Sequence, residues 1–134
     1  MEPSEPLAPR QKLWLERDGK LVMSDYRLRL LELIAETGSL AQAATALGLS
    51  YRRAWGKVKE LEANLGLSLV QSEVGGAGGG HTVLSPAAVQ LMAAYARFTE
   101  RMAEALEASY SAELGGILVG SPAVRPAPSG GATG

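Results

Sequence analysis

The sequence predicts a mainly α fold with small β-hairpins, in which three closely spaced helices precede a long fourth. Three observations carry this expectation. Apolar residues recur at helical spacing between positions 28 and 65, Asp18-Gly19 parts two short apolar runs, and a glycine run at 75–80 parts two more. With 134 residues, 46% hydrophobic and 20% charged, the chain has the size and make-up of one soluble globular domain.

Residues 1–10 carry three prolines and are expected to form a disordered leader. In the stretch 12–24 the dipeptide Asp18-Gly19 supplies a tight turn with positive φ, which predicts a β-hairpin. Trp14 is expected to pack this hairpin onto the domain. Ser24 can cap a helix in which Leu28, Leu31, Ile34 and Ala35 share a face, with Arg27, Arg29, Glu32 and Glu36 largely opposite. Gly38 ends it, and Ser39-Leu-Ala-Gln42 has the form of a capping box for a short helix over 39–47. Gly48 breaks that helix, and Ser50 caps a third that runs to about Leu65.

Gly66 stops the third helix and 67–71 reads as a strand. After the glycine run Thr82-Val-Leu84 returns as a second strand. Ser85-Pro86 then opens a helix over 86–111, an N-cap followed by proline at the first helical position. Residues 112–134 are rich in Gly, Pro, Ala and Ser without periodicity, and are expected to form a disordered tail.

Composition removes several functions. Without cysteine there is no disulfide framework and no thiolate zinc site, and a single histidine, His81, argues against a histidine-rich metal site or a Ser/His/Asp hydrolase. No acid/base pair, nucleophile or ligand cluster stands out, so neither catalysis nor a bound metal is expected. The glycine run lacks the Gly-Lys-Ser/Thr ending of a phosphate loop and does not lead from a strand into a helix. No signal peptide is evident and no apolar run approaches the roughly 18 residues of a membrane span, so a cytoplasmic location is expected.

The informative segment is 39–61. Ala43 and Ala44 let the next helix approach closely, and Leu47, Leu49, Ala54, Val58 and Leu61 form a seam. With 54, 58 and 61 inward, Arg52, Arg53, Gly56 and Lys57 fall on the outward face. Long donors beside a residue without a side chain suit groove approach, donors for base edges and phosphates and a gap for close contact. The hydroxyls of Ser50 and Tyr51 can reach phosphates from the capped end. Between 50 and 62 four cations (Arg52, Arg53, Lys57, Lys59) meet two acids (Glu60, Glu62), 4 − 2 = +2. Over 86–111 the balance is 2 − 3 = −1, so a total of −1 conceals a locally basic face. Trp55, beside the seam, is read as packing.

On these residues the chain resembles a known family. Ala43-Ala44, Leu47, Ser50, Val58, Leu61-Glu62, Leu65-Gly66 and Leu69-Val70 look like the DNA-binding domain of LysR-type regulators. Ser50-Tyr-Arg-Arg-Ala-Trp55, the glycine run and Val83-Leu84-Ser85 resemble the molybdate-responsive ModE family. The resemblance, spanning roughly 13–110, implies a winged helix-turn-helix within a domain at 11–111, with 51–64 as recognition helix and 71–85 as wing. It implies double-stranded DNA as partner, met by Ser50, Tyr51, Arg52, Arg53, Gly56, Lys57, Lys59, Gly76, Gly78, Gly79 and His81. Family wings carry a basic pair and a lysine where this chain has Gln71-Ser72 and Ala77, so a cation-poor wing is expected. Family members bind molybdate in a C-terminal β-rich domain; with about twenty tail residues after Tyr110, a stand-alone version without cofactor is expected.

The long helix also has a stripe at alternating spacings of three and four: Met92, Tyr95, Thr99, Met102, Leu106 and Ser109. A helix of about 37 Å is too long to be covered by so small a body, so the stripe predicts a dimerisation helix and a homodimer on a palindromic site. The same pattern also admits a second function, a winged-helix protein-interaction module without DNA binding.

Overall fold

The computed structural model describes residues 7–73 and 81–118. The elements run β1 (Trp14–Arg17), β2 (Lys20–Ser24), α1 (Asp25–Thr37), α2 (Leu40–Ala46), α3 (Tyr51–Leu65), β3 (Val70–Glu73), β4 (His81–Leu84) and α4 (Pro86–Glu113). They fall into two compact units, residues 12–98 and a second that contains the described stretches 7–11 and 99–118. Residues 1–6 of the expected leader, the glycine run with Gly76, Gly78 and Gly79, and the part of the expected tail after 118 lie outside the described residues.

In the first unit, β1 and β2 form the expected antiparallel hairpin. Asp18 (φ 52°) and Gly19 (φ 76°) both take the left-handed conformation that a two-residue turn of this twist demands. The pairing then slips: Leu15 faces Met23 but Glu16 faces Leu21, leaving Val22 as a bulge. The bulge turns both Val22 and Met23 inward, which regular alternation would forbid, and both are buried. Trp14, contrary to expectation, is 53% exposed, and its indole N–H donates to Glu16 Oε2 at 2.6 Å. Asn64 of α3 holds the hairpin instead: its Nδ2 donates to the Leu21 carbonyl at 2.8 Å, and Arg17 Nη1 donates to the Asn64 carbonyl at 3.2 Å.

Serine caps the first three helices and α4. The Oγ atoms of Ser24, Ser39, Ser50 and Ser85 accept from the amides of Arg27, Gln42, Arg53 and Ala88 at 3.2, 3.1, 3.1 and 3.0 Å. Each such cap is worth about 1 kcal/mol. Gln42 does not complete the predicted capping box, because the Ser39 amide donates to Thr37 Oγ1. Gly48, at φ 70°, makes the sharp turn into α3, and Leu49 N–H closes it on the Ala44 carbonyl at 2.8 Å.

Leu30, Leu31 and Ile34 of α1, Leu40, Ala43 and Ala44 of α2, and Ala54, Val58 and Leu61 of α3 form the core, joined by Met23, Leu69, Ala88 and Tyr95. Two assignments on α1 are corrected. Ala35 is exposed, and Arg27 is buried, its guanidinium 3.1 Å from a carboxylate of α3, Glu60.

The strand after α3 begins at Val70 rather than at 67. Glu62 Oε2 accepts from the amides of Leu69 (2.7 Å) and Val70 (3.2 Å), which takes up both amides at the entrance of the strand. Burial raises the Glu62 carboxyl, yet those two amides and the neighbouring Lys59 ammonium outweigh it and hold the pKa below the ordinary carboxylate value. Strands β3 and β4 pair from Val70↔Leu84 to Glu73↔His81. Their base is fixed to the helices: Thr82 N–H donates to the Gly38 carbonyl, Thr82 Oγ1 accepts from the Leu40 amide at 3.2 Å, and Ser85 N–H donates to the Leu69 carbonyl.

Helix α4 extends to Glu113, two residues past its expected end. Within 12–98 it buries Ala88 and Tyr95, and the Tyr95 hydroxyl donates to the Leu13 carbonyl at 3.4 Å. In the second unit Thr99, Met102 and Leu106 are partly buried and Tyr110 is buried. A turn over 114–118 follows, its first two amides donating to the Tyr110 carbonyl. No described helix is long and apolar enough to cross a membrane.

Candidate nucleic-acid interface

Burial of Ala54, Val58 and Leu61 fixes which side of α3 faces outward. Tyr51, Arg52, Arg53, Gly56, Lys59 and Glu60 are exposed and Lys57 is partly covered. Ser50 stands at the helix entrance, its hydroxyl engaged as the cap. The sequence-predicted donors are therefore gathered on one face. Among the described residues Arg52 and Arg53 have no acidic partner.

Gly56 carries particular weight. A glycine inside a helix destabilises it by about 0.8–1.0 kcal/mol relative to alanine. Nothing inside the domain requires it: a Cβ built at Gly56 meets no atom within 4 Å, and its φ is not in the left-handed region. An exposed, unstrained glycine in the second turn of a helix thus leaves a clear channel on the outer face, between the cations.

The remaining charges of α3 are committed. Lys57 Nζ lies 5.3 Å over the ring of Tyr26, a contact that the sequence reading missed because Tyr26 stands at the start of α1. Lys59 is drawn to Glu62 at 3.2 Å and lies 4.5 Å over the Trp55 ring, which is itself half-buried against the core as expected. Of the two acids that reduced the local charge, Glu60 is paired with Arg27, and Glu62 is occupied with Lys59 and the β3 amides. The N-terminal half of the face is therefore more positive than the sum of +2 suggests.

His81 opens β4 and is exposed. Of the stripe residues proposed from sequence as a dimer contact, Tyr95 is 3% exposed within its own chain and is corrected to a core residue. Met92 likewise packs partly against the core, whereas Thr99, Met102 and Leu106 keep part of their surface open.

Comparison with known proteins agrees with this arrangement. The model of the bacterial regulatory helix-turn-helix protein, lysR family, matches residues 26–89. The chain is 40% identical over 92 residues to the molybdenum-pterin-binding protein MopB of Rhodobacter capsulatus, 69% of this chain and 34% of that protein. It is 40% identical over 77 residues to the molybdenum transport protein ModE of Herbaspirillum seropedicae, 58% of this chain and 29% of that one. With the DNA-binding transcriptional dual regulator ModE of Escherichia coli (strain K12) it shares 36% over 83 residues, 62% and 32% of the two chains. The chain thus spans about a third of the length of these relatives. Among solved structures, the CbnR DBD in complex with DNA has the same fold, with a TM-score of 0.51 at 24% identity over 67% of this chain and 98% of that one. Residues 26–89 thus fold as a winged helix-turn-helix and match the LysR-type helix-turn-helix model, and over this domain the chain is similar to the ModE and Mop proteins.

Proposed function

We propose that the chain binds double-stranded DNA and regulates transcription. The observation that carries this reading is the exposed Gly56, unneeded by the fold, beside Arg52 and Arg53. A groove-bound helix needs long donors around a place where its backbone comes close to the bases. In this reading Arg52 and Arg53 reach base edges and phosphates, Ser50 and Tyr51 contact phosphate, and Tyr26 steadies the Lys57 ammonium toward the backbone. The β3–β4 wing, with His81, flanks the helix.

Relatives support it: the Escherichia coli protein is named a DNA-binding transcriptional dual regulator, and the CbnR domain was solved on DNA. A second copy pairs through the open part of α4 at Thr99, Met102 and Leu106, which places two recognition helices on a palindromic site. The names of the ModE and Mop relatives make molybdenum-related genes the first targets to examine.

The test is fluorescence anisotropy with duplex DNA between about 50 and 200 mM salt, for the wild type and for Arg52→Gln with Arg53→Gln. Wild-type affinity should fall steeply with salt, and the double variant should lose about two from the slope. A wild type without salt-sensitive DNA affinity would refute the proposal and favour the protein-interaction module.

A further inference from the structure

The outward face of α3 holds an acceptor among its donors. The Glu60 side chain is 58% exposed, and its Oε1 accepts from Arg27 Nη2 at 3.1 Å. At 100° per residue Glu60 stands about 20° from Arg53, two turns away, and about 40° from Gly56, one turn away. It therefore shares the channel that Gly56 leaves open. Its partner is unusual. The Arg27 side chain is only 8% exposed, and its Nη1 is buried without a hydrogen bond among the described residues.

Stability does not explain this pair. A guanidinium is costly to bury, a largely exposed carboxylate returns little of that cost, and one Arg27 nitrogen is left unsatisfied. What the pair does achieve is to fix Glu60. Arg27, anchored in α1, neutralises the carboxylate and restrains its rotamer, while Oε2 has no partner among the described residues. The result is a preset acceptor without net repulsion toward phosphate. A carboxylate in the major groove can bond only to an exocyclic amine, and cytosine N4 is the donor that it suits. We infer that Glu60 is a specificity-determining residue that accepts from cytosine N4, with Arg27 as its positioning residue. This rests on the DNA-binding reading above.

Selection from random duplex pools tests it, with the wild type, Glu60→Ala, Glu60→Gln and Arg27→Met compared, and thermal melting of each as a check on folding. Glu60→Ala should relax one base-pair position per half-site by about ten-fold and leave the rest of the motif intact. Glu60→Gln, which donates as well as accepts, should move that position toward adenine, and Arg27→Met should relax the same position as Glu60→Ala. An unchanged motif in both Glu60 variants, with uniformly tighter binding, would overturn the inference and leave DNA binding standing. A wild type that selects no motif would overturn both.

Discussion

Replacing Gly56 by alanine should make the domain more stable and a worse DNA binder. The two effects have separate origins. In the free protein a Cβ at this position enters open space, with no atom within 4 Å, so the substitution meets no steric opposition. The helix then gains the alanine propensity, about 0.8–1.0 kcal/mol, which raises Tm by roughly 4–8 °C for a domain of this size. On DNA the same methyl group would lie between the α3 backbone and the groove. The helix would have to stand off, lengthening the contacts of Arg52 and Arg53 together. The loss is on the order of one good base contact, about 1–3 kcal/mol, or ten-fold and more in Kd. Thermal melting and anisotropy titration of the same preparation measure both quantities. A variant that melts higher and binds as tightly as the wild type would refute the close-approach argument. A variant that melts lower would refute the claim that the fold does not need this glycine.

Further outcomes follow from other contacts. Arg53→Ala should cost about 1–3 kcal/mol of binding if it pairs with a guanine, with little change in Tm, and competition with mismatched duplexes shows whether one position is relaxed. Glu62→Gln should lower stability by about 1 kcal/mol near neutral pH, since it weakens the bonds to the Leu69 and Val70 amides. Because the native Glu62 pKa is held below its ordinary 4.5, that stabilisation is present above about 4.5 and disappears as pH falls through the native value. Denaturant melts of the two proteins should therefore converge below that pH; a constant gap would contradict the assignment. Thr82→Val keeps the shape but leaves the Leu40 amide without its acceptor, which should cost about 1–3 kcal/mol in the same melts. Leu106→Glu should shift sedimentation from dimer to monomer at micromolar concentration while preserving helical circular dichroism, and an unchanged dimer would remove α4 from the interface.

Much of this fold was legible because its signals are local. Serines at 24, 39, 50 and 85 each stand three residues before the amide that they cap, and Asp18-Gly19 contains its own turn. The seam of Ala54, Val58 and Leu61 follows from helical spacing, and it places Arg52, Arg53 and Gly56 on the outside. What escaped depends on contacts distant in sequence. Arg27 is buried with its partner Glu60 33 residues on, and Thr82 serves an amide 42 residues back. Tyr95 fits a dimer stripe by spacing alone, and its place in the core, with its hydroxyl on Leu13, emerges only from the fold. Trp14 misled because a large apolar side chain on a hairpin was assigned to packing, whereas Asn64 and Arg17 do the anchoring. Counting charges likewise understated the face of α3, because Glu60 and Glu62 have partners inside the domain.

In the proposed function the domain reads DNA through α3 as a two-fold pair. Selection and sequencing of duplexes retained by the purified chain from random and genomic pools, at two salt concentrations, tests it most directly. The expected result is a palindromic motif whose half-sites lie about one helical turn, 10–10.5 base pairs, apart and whose retention falls steeply with salt. Retention no better than background at the lower salt concentration would contradict it.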